Sequence, residues 1–210
     1  MDESGGGRRA GTRRRGDELI RAIHEAAIAE LLETGLGRLT MEGIARRAGT
    51  AKTSLYRRWS APHELLLDAF QREFPQEVPS PSADDLRGDL IRSLKLMRDW
   101  MGSPMARAVA AVVTERERHP ELVDAVYRQV FDAKGGRFTR TVLLHYAERG
   151  AFDPGLVTPV VADIGEALLF KQGFDSDALP GDDVIAAIVD QAILPALGLG
   201  PRAAGGPDPG

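Results

Sequence analysis

Apolar residues recur at spacings of three and four along most of the chain, the period of helices packed by one face. Over 17–34 the stripe reads Leu19, Ile23, Ala26 or Ala27, Ile28, Leu31 and Leu32, and Gly35 supplies a stop. A second helix is predicted over 41–48 with Thr40 as its N-cap, and a third over 51–59 after Gly49. A fourth runs to residue 74, capped by Ser60 and tolerating Pro62 in its first turn. Pro75, Pro79 and Pro81 make 75–83 a loop and a natural boundary. Further helices are predicted over 84–101, 105–118, 121–149, 159–174 and 182–197, punctuated by Ser103-Pro104, His119-Pro120, residues 152–155 and Pro180-Gly181. The pair Gly135-Gly136 in the longest segment costs about 2 kcal/mol of helix propensity relative to Ala and marks a site for a kink or break. Alternating runs and hairpin dipeptides are missing. The expected fold is therefore all-α. It has about nine helices, three or four in 17–74 and five in 84–197, between a flexible arm over 1–16 and a flexible tail over 198–210.

Composition adds exclusions. The 210 residues contain no Cys, which removes disulfides, thiolate metal sites and cysteine nucleophiles. No apolar run approaches the roughly 20 residues that span a bilayer. The opening segment is polar and arginine-rich, unlike a signal peptide, so a cytoplasmic location is expected. His24, His63, His119 and His145 are scattered with no i, i+4 pair, and neither a metal nor another cofactor is expected. Residues 1–60 carry 12 Lys/Arg against 8 Asp/Glu, whereas 61–210 carry 15 against 23. A basic small segment on an acidic body points to one end that meets a polyanion.

The informative stretch is LTMEGIARRAGTAKTSLYRRW, residues 39–59. Read as helix–turn–helix, Gly49 takes the left-handed backbone of a tight turn between crossing helices. Ala45 must be small where the second helix crosses, and Ile44, Ala48 and Leu55 point into a shared core. An ordinary helical hairpin would satisfy those four positions. It would not account for Lys52, Thr53, Ser54, Tyr56, Arg57 and Arg58, polar or basic residues clustered over two turns without an acid between Ala51 and Trp59. That is the character of a helix that enters a major groove, where acids would be repelled by phosphate.

On these residues the region resembles the DNA-binding domain of TetR-family transcriptional regulators. The likeness rests on the helix–turn–helix, the pattern Leu55-Tyr56-x-x-Trp59 and a fourth helix opening with Glu64-Leu65-Leu66, and it covers about residues 17–74. It implies that Thr40 holds a phosphate at a helix N-terminus. Lys52, Thr53 and Ser54 would face base edges, Tyr56 would give its hydroxyl to phosphate, and Arg57 would contact backbone or a guanine. Trp59 would pack the small domain, and Arg13, Arg14 and Arg15 would reach phosphates or an adjacent minor groove. Two positions depart from the family pattern. Ala51 stands where a capping Ser or Thr is usual, leaving Thr50 as the substitute, and Ala61-Pro62-His63 replaces a common Lys.

For 84–197 the resemblance implies a dimer interface and a small-molecule pocket. Ile164, Ala167, Leu168 and Phe170 form one stripe, and Ile185, Ile188, Val189, Ala192 and Ile193 another, suited to a four-helix interface between two copies, which the resemblance favours over plain inward packing. Trp100, Met101, Met105, Tyr127, Phe131 and His145 are the expected pocket lining, among other apolar residues, and such residues at helical spacing are core more often than cavity. The expected function is a ligand-responsive repressor: a homodimer on palindromic double-stranded DNA, released by an unknown small molecule, with no membrane partner. A helical enzyme is the competing class. His145 near Glu148 is its one acid–base pair, and no nucleophile triad or phosphate loop stands out. A helical module whose arm binds RNA or membrane is a third, lacking a stacking surface or a strongly apolar face.

Overall fold

The computed structural model describes residues 6–80, 82–131, 138–176 and 178–200, with side chains from Gly16 onward. Among these residues there are helices and no strands. In chain order they are α1 (Gly6–Thr34), α2 (Met41–Arg47), α3 (Lys52–Tyr56), α4 (Pro62–Glu73), α5 (Leu86–Met101), α6 (Pro104–Thr114), α7 (Pro120–Val126), α8 (Phe138–Ala147), α9 (Pro159–Asp175) and α10 (Asp182–Ile188). Wider π-type turns extend α7 over Tyr127–Phe131 and α10 over Val189–Ile193, the latter running on into Leu194–Ala196. The segment 121–149, expected as one helix, is described as helical up to Phe131 and again over Phe138–Ala147. Gly135-Gly136, the suspected break, lies outside the described residues, as does most of the expected tail.

Contacts divide the chain into two compact units. The first joins the described residues up to Phe74 with Ser103–Val130. Its core is Ile20, Ile23, Ala27 and Leu31 of α1 against Ile44, Leu55, Leu65, Leu66 and Phe70. α6 packs on α1 and α4 through buried Met105, Ala108, Val109 and Val112, and α7 packs on α4. The Pro-rich loop is therefore not where the packing divides: 103–130 returns to the N-terminal helices because α1 and α4 still have apolar surface to cover. Leu19 and Leu32, expected inside, are exposed. Each lies one residue, about 100° of helix rotation, from buried Ile20 and Leu31. α1 also begins eleven residues before its expected start, through a stretch in which Arg and Ala favour helix and Gly6, Gly7, Gly11 and Gly16 oppose it. Part of the expected flexible arm is thus helical backbone.

The second unit contains Pro75–Gly102 and the described residues from Phe131 on. α5 is central, with Leu90, Leu94 and Met97 packed among α8, α9 and α10. Arg87 grips Asp190 with two bonds of 2.7 and 2.8 Å, and Lys95 and Arg98 each reach Asp182 at 2.6 Å. These exposed pairs add little stability, but they fix the rotation of α10 on α5. No helix among the described residues is long and apolar enough to cross a membrane.

Candidate nucleic-acid interface

α2 and α3 are joined by a turn in which Gly49 sits at φ 62°, the left-handed region that favours glycine. The Thr50 N–H closes the turn on the Ala45 carbonyl at 3.0 Å. Ile44, Ala45 and Leu55 are buried where the helices meet. The Thr40 hydroxyl caps α2 by accepting from the Gly43 N–H at 3.1 Å. Gly43 itself is buried against Glu30, and a methyl there would land on the Glu30 carboxylate. α3 has Ala51 at its N-cap with no side-chain bond, so Thr50 does not substitute as cap. Its first N–H groups are left without a capping side chain. Nor does Ser60 cap α4. Its N–H and hydroxyl both donate to Glu64, at 2.7 and 2.8 Å, because Glu64 reaches back over the first turn.

The far end of the recognition segment is held by a buried polar centre that the sequence pattern did not disclose. Asp68 of α4 accepts from the Trp59 indole N–H at 3.0 Å, from His24 Nε2 at 3.2 Å and from Arg72 at 3.0 Å. The His24 and Trp59 rings also meet, with centroids 5.7 Å apart. His24 is only 1% exposed. Burial holds its pKa below the ordinary histidine value despite the opposing charge of Asp68, so the neutral ring donates from Nε2 to the ionised carboxylate. Burial works against the Asp68 charge too, but bonds from Arg72 and Trp59 help hold its pKa below the usual range. α1, the segment after α3, and α4 are thereby tied at one carboxylate.

On the outer face, Lys52, Thr53, Tyr56, Arg57 and Arg58 are exposed, Tyr56 at 50%, and Ser54 is half-buried. Lys52 is paired with Glu42 of α2, which holds the lysine pKa up and the glutamate pKa down. Arg57 and Arg58 form no ion pair among the described residues. Two other arginines of the motif serve the fold: Arg47 bridges Glu30 at 2.9 Å and Glu33, and Arg46 lies 3.6 Å from Glu30. Thr40 is exposed beside them. His63 is half-buried edge-on to His119, with ring centroids 5.6 Å apart, and its pKa is held low by burial and by His119. Arg13, Arg14 and Arg15 stand on the helical backbone of α1, and their side chains lie outside the described residues.

A buried Leu55 under a polar, basic outer face makes α3 a surface-presenting helix, and comparisons with known proteins agree. Residues 23–69 match the model for bacterial regulatory proteins of the tetR family, and residues 80–192 match the tetracyclin repressor-like C-terminal domain. The chain belongs to the TetR family. An uncharacterized HTH-type transcriptional regulator of Mycobacterium bovis is 30% identical over 167 residues, 80% of this chain and 82% of that one. A DNA-binding transcriptional repressor TetR of Mycobacteroides abscessus is 28% identical over 191 residues, 90% and 98% of the two chains. The crystal structure of a TetR transcriptional regulator from Agrobacterium tumefaciens shares the fold, with a TM-score of 0.58 and 21% identity over 85% of this chain and 92% of that one. The protein is thus a DNA-binding transcriptional regulator of the helix–turn–helix type, and its family and relatives are regulators rather than enzymes.

In this TetR-family chain the expected ligand-lining residues are divided between the units. Met105 is buried and Tyr127 half-buried in the first, with Arg116 lying 5.3 Å over the Tyr127 ring. Trp100, Met101 and Phe131 are half-buried in the second, where Trp100 lies 6.3 Å from Phe138. His145 is already engaged: Nε2 donates to the Ser80 carbonyl at 2.8 Å and Nδ1 accepts from Arg149 at 3.1 Å, so it does not pair with Glu148. The expected interface residues also separate. Ile185, Ile188 and Val189 are buried within their own chain against α5 and α9, so they have no free face to offer a second copy. Ile164 and Ala192 are half-buried, and Leu168 is exposed. Among the described residues no group of three or more His, Asp or Glu is placed to hold a metal.

Proposed function

We propose that this regulator is a homodimeric repressor that binds a palindromic operator through α3 and leaves it when a small molecule binds. The observation that carries the reading is the exposed set Lys52, Thr53, Tyr56 and Arg57 standing over buried Leu55. Leu55 anchors the helix; Thr53, Tyr56 and Arg57 can exchange water for phosphate and base edges, and Lys52 can do so by leaving Glu42. Tyr56 and Arg57 suit phosphate, Lys52, Thr53 and half-buried Ser54 suit base edges, and Thr40 suits phosphate at the start of α2. Arg13, Arg14 and Arg15 would add backbone contacts.

Reading a palindrome requires two copies with recognition helices about 34–36 Å apart or a multiple of it. α9 supports such pairing, because Leu168, Phe170 and Phe174 are exposed along it, Phe174 at 89%. Ile164 and Ala192 would border that face. An effector need only bind the non-operator conformer more tightly, since equal affinity for both shifts nothing.

The test is a gel-shift salt series on the DNA flanking the gene. Arg57→Ala is expected to weaken binding and lower the salt slope by about one, and Tyr56→Phe to weaken binding. Unchanged binding by both variants would overturn the site assignment.

A further inference from the structure

Within the second unit the loop after α4 lies against α5 and α8 and leaves a half-open cavity of about 160 Å³, lined by Glu77, Val78, Pro79, Asp89, Arg92, Ser93, Leu96 and Val142. Its two carboxylates differ in their partners. Asp89 is fully committed: Oδ2 accepts from the Tyr146 hydroxyl at 2.7 Å and the Ser80 N–H at 2.8 Å, and Oδ1 accepts from Arg92 at 2.5 Å. Arg92 is spent in turn on Asp89 and Asp85. Glu77 bonds the Thr141 side chain, but its Oε1 is buried with no hydrogen-bond partner, and no cation among the described residues pairs with it. Burial pushes the Glu77 carboxyl above its ordinary range. A buried carboxylate oxygen without a donor is costly and uncommon in native folds.

The remaining lining decides what would satisfy it. The Ser93 hydroxyl donates to the Leu90 carbonyl at 2.9 Å, which leaves its oxygen as an acceptor. Pro79, Leu96 and Val142 supply apolar wall, whereas Val78 is largely exposed. The cavity therefore presents acceptors and a carboxyl group without a cation beside hydrocarbon, and a complementary group carries N–H donors, a positive charge that favours the ionised carboxylate, and a short apolar body. Taking roughly 30 Å³ for a water-sized group, the space holds about five such groups.

We propose that this cavity binds a small organic cation, of the alkylammonium class, and that this cation is the effector. The second half rests on the reading of the protein as a ligand-released regulator. Glu77 is the counter-ion, Ser93 a second acceptor, and the wall formed by Leu96 and Val142 sets the length of the alkyl chain. Glu77 lies four residues beyond Glu73, the last residue of α4, so a bound cation holds the segment that follows that helix.

The test uses the full-length protein, with calorimetric titration of n-alkylammonium chlorides from ethyl to hexyl, set against the corresponding alcohols and carboxylates. Saturable binding by an ammonium ion, absent for its alcohol and carboxylate, is expected, and Glu77→Gln should weaken it about tenfold or more. Leu96→Trp, which fills the cavity and leaves the charge, should abolish it, and far-ultraviolet circular dichroism checks that each variant is folded. Failure of every ammonium ion to saturate, equal binding by the alcohols, or unchanged binding to folded Glu77→Gln overturns the site. Operator gel shifts with and without the bound cation separate the two halves: binding without release keeps the site and overturns the effector role. Release by some other ligand, without ammonium binding, overturns the site and keeps the regulator.

Discussion

Asp68→Ala tests whether the recognition segment is held by the buried polar centre behind it. The substitution strands two buried donors, the His24 Nε2–H and the Trp59 Nε1–H, which now have Asp68 at 3.2 and 3.0 Å. A stranded buried donor costs about 1–3 kcal/mol. The Asp68 side chain is 28% exposed, so water reaches part of the site and the lower half of that range applies. Two donors at about 1–1.5 kcal/mol each, with about 0.4 kcal/mol for the exposed pair to Arg72, give a loss of about 3 kcal/mol. Asp68→Asn keeps an acceptor oxygen and should lose about half as much. The chain has 2 Trp, so urea unfolding in a Trp100→Phe background follows Trp59 fluorescence alone. A loss below about 0.5 kcal/mol for Asp68→Ala would refute the reasoning, being no more than an ordinary surface substitution. The pH dependence has a defined sign. His24 is depressed in the folded chain, so below its unfolded pKa of about 6.5 the unfolded state binds the proton more readily. Its contribution is complete above about pH 6.5 and is lost as pH falls through the folded value, and depressed His63 acts in the same window. Asp68 opposes the His24 depression, so its removal should deepen the loss on acidification. Identical acid profiles for the two proteins would contradict that coupling.

Two further outcomes are expected. Glu42→Gln removes the partner of Lys52 and an acid beside the proposed DNA-binding face, so DNA affinity and the salt slope should rise, the slope by up to about one; an unchanged slope would show that Lys52 contacts no phosphate. The pair Phe170→Glu and Phe174→Glu should convert a dimer to monomer in light scattering and weaken operator binding while leaving the urea midpoint of the monomer unchanged; a persistent dimer would place the interface elsewhere.

The helix–turn–helix was legible because its demands are local. Gly49, Ala45, Ile44 and Leu55 answer to one turn and one crossing, and each constraint acts within a few residues. His24 and Asp68 are 44 positions apart, and nothing in either neighbourhood announces the other. The return of α6 and α7 to the first unit was hidden for the same reason, since a proline-rich loop signals a break in the helices and not a break in the packing. The last two helices show a different limit. Periodicity says that a face is covered but not by which chain: Ile185 and Val189 are covered by their own, whereas Phe170 and Phe174 of α9 are not. Glu77 lies in the proline-rich loop with no pattern to single it out, and only its burial beside a cavity distinguishes it.

A recognition helix of five residues without a capping side chain has little stability of its own. Its shape is imposed from both ends, by the turn at Gly49 and by Trp59 pinned to Asp68, with Leu55 buried between them. On the proposed reading, the placing of Lys52, Thr53, Tyr56 and Arg57 against DNA therefore depends on Gly49, Trp59 and Asp68 behind them. Disturbing Asp68 should weaken binding to every sequence alike, because it loosens the whole helix, whereas substituting a side chain that reads bases should weaken the operator more than other DNA. The ratio of specific to non-specific affinity thus separates residues that hold the helix from residues that read the groove.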